Sequence, residues 1–280
     1  MQQNWILHAH SRHHYWSGAG ALSIKSFTQG QAYYEVGAAR FLVDEHAYLV
    51  LNQGQEYTIT VDTPTAMESF CIFFAPDFAQ SVCHSLGAPT EGLLDDPQRV
   101  SAPVTFFERT YPHDDLLSPT LANLRKEYPL RRDDAVWVEE QLHCLMRQLL
   151  ITQDRVRSET ARLGAVRPAT RTELYQRLWL AYDYIAAEYA QPLSLAEIAR
   201  MASLSPNHLL RSFKQLFGQT PHQFLTERRL ERAKWLLRHT DHPVTEICFA
   251  VGFASLGSFS WLFRRRVGFS PEQFRRLQSG

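Results

Sequence analysis

With 280 residues, 45% hydrophobic and 21% charged, the chain is long enough for two domains with substantial cores. Its four cysteines form no CxxC pair, and no apolar run approaches the ~18 residues of a membrane helix, which excludes a zinc knuckle, a disulfide framework and a membrane partner and makes the cytoplasm the expected location. The formal charge of zero hides a division, because residues 171–280 hold 15 Lys and Arg against 9 Asp and Glu whereas residues 1–170 hold 14 against 20; a basic module facing a polyanion, joined to a module with another task, fits that split.

The first segment, MQQNWILHAHSRHHYW, carries His8, His10, His13 and His14. Imidazoles ligate transition metals when a rigid element fixes their spacing. Here they lie on a terminal arm without an evident carboxylate partner, and His46 stands alone among the strands that follow, so no metal is expected. The arm itself is expected to pack over the mouth of the next element or to fray from it.

From about 20 to 75 the runs LSIKSF (22–27), RFLVDE (40–45), AYLVLN (47–52), EYTITV (56–61) and ESFCIFF (68–74) alternate with turn residues. Short β-type runs at close intervals predict a sheet-rich sandwich or barrel. A ligand pocket in such a fold opens at the end of the sheet. Tyr33, Tyr34, Arg40, His46, Tyr48 and Glu56 are candidates to line it, with Tyr34, Arg40, His46 and Tyr48 retained as the effector-binding set.

A helical segment is expected over about 115–155. Within it, residues 135–153 place Leu142, Leu145, Met146, Leu149 and Leu150 at helical spacing, a stripe that serves either as ordinary core or as a dimer seam. The charged stretch 155–171 contains Gly164 and Pro168 and reads as a linker, narrowest at 166–171.

Beyond the linker the chain repeats itself. SPNHLLRSFKQLFGQTPHQF (205–224) aligns with SLGSFSWLFRRRVGFSPEQF (255–274), and Glu197-Ile198-Ala199 corresponds to Glu246-Ile247-Cys248, the second copy having one more residue in its turn. Ser194 with Glu197 forms a capping-box pattern, Ser205 and Ser255 are N-cap residues, Pro206 suits a first helical position, and Gly218 and Gly268 are left-handed stops. Two helix-turn-helix units, 194–217 and 244–267, follow.

In the second helix of each unit, Leu209, Phe213 and Phe217, and equally Phe259, Phe263 and Val267, recur every fourth residue and form a buried stripe. The opposite face then presents Asn207, Leu210, Arg211 and Lys214 in one copy and Gly257, Ser260, Trp261 and Arg264 in the other, with Arg265 adjacent. Asn and Arg pair with base edges in the major groove, and Lys214, Arg264 and Arg265 suit phosphates. Between the units, Thr220 and Pro221 open a helix to about His239, long enough to place two reading helices in successive grooves.

Residues 172–280 resemble the DNA-binding domain of the AraC/XylS family of bacterial transcription regulators, down to GFASLGSFSWLFRRRVGFSPEQFR in the second motif. The resemblance implies seven helices, the first over 173–190, with Asn207, Leu210, Arg211, Gly257, Ser260 and Trp261 at reading positions. Apolar Leu210 and Trp261 depart from the usual reading chemistry, consistent either with thymine-methyl contact or with backbone affinity at the second motif. It further implies a cupin-like effector-binding and dimerisation domain over 1–165, giving an α+β multidomain chain.

The expected function is that of a regulator, an activator, with double-stranded DNA, a small-molecule effector, a second copy of itself and RNA polymerase as partners, and with no cofactor or catalytic residue. The competing expectation is a cupin-type metal enzyme fused to a DNA-binding domain.

Overall fold

The computed structural model describes residues 3–87, 104–161, 163 and 168–278. The chain divides into two compact units, Met1–Thr172 and Glu173–Gly280.

In the N-terminal unit, β1 (Trp5–Ala19), β2 (Ser23–Thr28), β3 (Ala32–Val36), β4 (Ala39–Val43), β5 (Ala47–Leu51), β6 (Glu56–Phe73) and β7 (Thr110–Pro112) form one antiparallel sheet. The order is β4-β3-β6-β2-β5-β7, with β1 on β6, and an isolated bridge between Asp44 and Ala47 joins β4 to β5, so the sheet curls into a nearly closed barrel. Phe27, Tyr34, Phe41, Leu49, Ile59 and Met67 are buried inside it, the alternate residues of strands that turn one face inward.

The strand β6 merges the runs 56–61 and 68–74, which the sequence separates. It pairs with β1 along its length, with β3 near Thr58–Thr60 and with β2 over Glu68–Phe73. The histidine arm is neither loose nor without carboxylates: it is strand β1, where His8 Nε2 lies 2.7 Å from Glu68 and His13 Nδ1 lies 3.0 Å from Asp62. The register of β1 against β6 shifts between Ser11 and His13. Because side chains alternate with a period of two, this bulge brings Trp5 and Leu7 to the same side as His14 and Trp16.

Among the described residues three helices accompany the barrel: α1 (Phe78–Gly87), α2 (Ser118–Arg131) and α3 (Ala135–Ala161). The last extends eight residues past the predicted end at 153. Its stripe is core, since Leu142, Leu145, Met146 and Leu149 are all buried within the unit. Asp134 opens α3 by accepting from the Trp137 amide.

Among the described residues the seven helices implied by the resemblance are α4 (Pro168–Ala187), whose first turn precedes the boundary of the C-terminal unit, and, within that unit, α5 (Leu195–Met201), α6 (Pro206–Phe217), α7 (Pro221–His239), α8 (Val244–Ala250), α9 (Leu256–Val267) and α10 (Pro271–Gln278). Residues 168–171, read from sequence as linker, are helical. Pro168 explains the difference, because a proline at the first turn of a helix loses no hydrogen bond and presets φ; residues 164–167 lie outside the described residues.

Candidate nucleic-acid interface and effector pocket

Each helix-turn-helix is built from local chemistry. Ser194 accepts from the Glu197 amide and its own amide donates to the Glu197 carboxylate, a reciprocal cap that holds this carboxyl below its ordinary pKa. Ser205 caps α6 through the His208 amide, Ser255 caps α9 through the Ser258 amide, and Gly218 and Gly268 end these helices at φ 73° and 91°. Thr220 with Gln223 and Ser270 with Gln273 repeat the reciprocal cap at α7 and α10.

The turns are equivalent and not identical. The Leu204 amide donates to Ala199 O at 2.8 Å and the Phe253 amide to Cys248 O at 3.1 Å, so the extra residue of the second copy is Ala254. The left-handed position just before is Ser203 (φ 52°) in one copy and Gly252 (φ 89°) in the other. A Cβ on Gly252 would sit 2.6 Å from the backbone oxygen of Ala190. Glycine there serves both the backbone angle and a close approach.

Behind α6, Phe213 and Phe217 lie 4.4 Å apart, Trp179 meets Phe217 edge-on at 5.0 Å, and Tyr182 stacks on Phe224 at 4.1 Å. Behind α9, Phe259 contacts Phe253 at 5.1 Å and Phe263 at 5.6 Å, and Phe263 contacts Phe274 at 5.6 Å. Such clusters fix the rotation of each helix about its axis. Arg229 of α7 holds the end of α4 through the carbonyls of Tyr189 and Gln191 at 2.7 and 2.8 Å.

With those stripes buried, the opposite faces are open. Asn207, Leu210, Arg211 and Lys214 are exposed on α6; on α9 Gly257, Trp261, Arg264 and Arg265 are exposed and Ser260 is half-buried. Trp261 is 61% exposed, and the Arg265 guanidinium lies 5.1 Å from its ring centre. Among the described residues no carboxylate pairs with Arg211, Lys214, Arg264, Arg265 or Arg266, whereas Arg177 and Lys234, elsewhere in the unit, pair with Glu173 and Glu231. The C-terminal ends of α6 and α9, at Gly218 and at Arg266 and Val267, border one cleft of about 350 Å³ along α7. The connecting helix is thus a shared backing for both, not only a strut between them.

Of the four effector candidates, Tyr34 lines a pocket in the barrel, and Arg40, His46 and Tyr48 do not border it. The pocket, about 360 Å³, is bounded by Trp5, Leu7, His14 and Trp16 of β1 together with Lys25, Phe27, Tyr57, Ile59, Cys71 and Phe73. Arg40 stacks on Tyr33 at 4.4 Å, beside Glu35 at 3.8 Å. His46 is exposed in the β4–β5 turn, where its amide donates to Asp44, and Glu56 is exposed at the start of β6. Tyr48 is fully buried, stacked on Tyr111 at 5.4 Å, and burial raises its hydroxyl pKa far above normal.

The residue missed by sequence reasoning is Lys25, only 2% exposed. Its ammonium donates to the Tyr57 hydroxyl at 3.0 Å and lies 3.7 Å from the centre of the Phe73 ring. Burial lowers its pKa to about 8 and raises that of Tyr57 to about 12.

Two helix-turn-helix units with open polar faces, backed by one connecting helix, define a double-motif DNA-binding module. A helix-turn-helix domain family profile matches residues 198–277. The C-terminal region is a helix-turn-helix domain. The transcriptional activator RhaS of Escherichia fergusonii is 42% identical over 93 residues, covering 33% of this chain and 34% of that protein; RhaS of Klebsiella pneumoniae is 41% identical over the same shares. The match thus spans about a third of the length of these curated relatives. Among solved structures, the C-terminal domain of the response regulator AraT from Geobacillus stearothermophilus is 35% identical, with a TM-score of 0.35, over 36% of this chain and 84% of that one. The DNA-binding domain of AdpA, solved with a target DNA, is 28% identical, with a TM-score of 0.35, over 36% of this chain and 91% of that one. Among the described residues no helix is long and apolar enough to cross a membrane.

Proposed function

We propose that the chain is a sequence-specific DNA-binding transcription regulator, an activator rather than an enzyme, whose N-terminal barrel takes a small effector. The observation carrying this is the set of exposed cations without carboxylate partners on the reading faces of α6 and α9, each face fixed by a buried aromatic stripe. Arg211 and Asn207 supply base-edge hydrogen bonds, Lys214, Arg264 and Arg265 meet phosphates, and Leu210 and Trp261 offer apolar contact to thymine methyls. Gly257 has open space about its Cα, which lets a sugar-phosphate strand approach the start of α9.

Selection of bound sequences from a random duplex pool tests this, the expected outcome being one composite site with two half-sites about one helical turn apart. Against that site Arg211→Ala is expected to cost about 1–3 kcal/mol and to relax one base preference. Lys214→Ala is expected to weaken all sequences alike and to reduce the salt slope by about 1. A footprint and affinity unchanged by Arg211→Ala would overturn the groove assignment.

The effector unit is also proposed to pair two copies through α3. Because the leucine stripe is already core, the seam falls on the opposite face, where Val136, Glu140, His143, Arg147 and Ile151 follow heptad-like spacing and Val136 is 71% exposed. Sizing of the full chain is expected to give a dimer that Val136→Glu with Ile151→Glu converts to monomer.

A further inference from the structure

A lysine at the bottom of an aromatic cavity is costly for a fold to keep. The Lys25 ammonium is removed from water, and among the described residues no carboxylate contacts it; its partners are the Tyr57 hydroxyl and the faces of Phe73 and Tyr57. A buried cation without a counter-charge is an electrostatic demand that a ligand can meet. The same cavity is open at its rim, where Trp5 is 50% exposed and Trp16 37% exposed. Trp5 stacks on Phe73 at 3.7 Å, and Trp16 lies 4.7 Å from Tyr57, so planar rings form the walls.

The polar lining consists of Lys25, Tyr57, Tyr34, Cys71, Ser69 and His14, and the Tyr34 hydroxyl and Cys71 thiol bond each other. The paired Lys25 ammonium and Tyr57 hydroxyl suit a carboxylate, which accepts two such bonds. A volume of about 360 Å³ lies near the lower end of ligand pockets, about 300–1,000 Å³, and suits a body of one or two rings. At neutral pH a group with pKa about 8 is still chiefly the ammonium, the form that pairs with an anion.

We propose that this cavity binds a small aromatic carboxylate, its anionic group seated on Lys25 Nζ and the Tyr57 hydroxyl and its ring against Trp5, Trp16 and Phe27. This rests on reading the barrel as the effector unit. Ligand entry supplies the missing counter-charge and at the same time braces β1, two of whose tryptophans form the rim, so occupancy stiffens the strand that runs along the whole of β6.

The test uses the full chain and three probes, 2-naphthoate, 2-naphthamide and octanoate, titrated by calorimetry and by quenching of tryptophan fluorescence. 2-Naphthoate is expected to bind one per chain, about tenfold or more tighter than the amide, the difference between giving the buried ammonium an anionic partner and giving it a neutral carbonyl. Lys25→Met is expected to abolish the preference for 2-naphthoate over the amide, weakening the acid more than the amide. Equal affinity of acid and amide, an acid preference that survives Lys25→Met, or no saturable binding of either below about 1 mM overturns the proposal, and octanoate binding as tightly as 2-naphthoate overturns its aromatic part. Affinity of the ligand-free wild-type and Lys25→Met chains for the selected duplex is measured in parallel. Intact DNA binding with failed naphthoate binding sinks the pocket assignment alone, whereas loss of DNA specificity in both chains sinks the regulator reading.

Discussion

Gly252→Ala is expected to unseat the second helix-turn-helix, lowering the stability of the C-terminal unit by about 2–6 kcal/mol and abolishing footprinting over one half-site. Two costs act together. The residue sits at φ 89°, where a Cβ is strained by about 1–3 kcal/mol. The added atom would also lie 2.6 Å from a backbone oxygen of the Tyr189–Gln191 segment, which Arg229 pins through two hydrogen bonds, so the obstacle cannot swing aside as a flexible side chain would. Denaturation followed by near-UV circular dichroism, together with footprinting on the selected site, checks it. Gly257→Ala is the internal control, since its Cβ would meet nothing within 4 Å; its stability should be unchanged or slightly raised. If both variants lose stability alike, the close approach at Gly252 is not what fixes the turn.

Lys25→Met is expected to make the ligand-free protein more stable at pH 7, by about 1–3 kcal/mol, or about 3–10 °C in the melting temperature of the N-terminal unit. A fall in pKa from 10.5 in the open chain to about 8 in the fold corresponds to a penalty of about 3 kcal/mol, and the lost bond to Tyr57 takes back about 1 kcal/mol. The sign with pH follows from proton counting. Between pH 8 and 10.5 the unfolded chain holds the lysine proton and the folded chain has shed it, so wild type gains stability through this group as pH rises. Methionine has no such gain. The advantage of the variant is therefore full at pH 7 and shrinks toward pH 10; an advantage constant across that range would mean that the lysine is not buried as a cation.

Legibility in the sequence followed the range of the forces involved. The C-terminal unit could be read nearly whole because its determinants are local: Ser205 and Thr220 cap helices within three residues of themselves, and Gly218 and Gly268 mark stops by their own backbone angles. The every-fourth-residue aromatic stripe of α6 and α9 fixed the outward face without any knowledge of what lay behind it. The barrel pocket was another matter. In LSIKSF a lysine between Ile24 and Ser26 reads as a solvent-facing position, and only pairing with Cys71, 46 residues away, and closure by β1 bury it. The parity of β1 was equally hidden, since the register shift between Ser11 and His13 is what brings both Trp5 and Trp16 to the same side. Tyr34, Arg40, His46 and Tyr48 are near one another in sequence, yet alternation and the β4–β5 turn send three of the four away from the cavity. The leucine stripe of α3 was legible as a stripe but not as to its partner, which depends on helices and strands elsewhere in the unit.

Among the described residues, the aromatic rings behind α6, namely Trp179, Tyr182, Phe213, Phe217 and Phe224, share no member with those behind α9, namely Phe253, Phe259, Phe263 and Phe274. Two heads with separate aromatic packing on one beam can be retuned through their outer faces one at a time. A lineage could rewrite the letters recognised by either head without loosening the other, and free-energy changes from substitutions in the two should simply add.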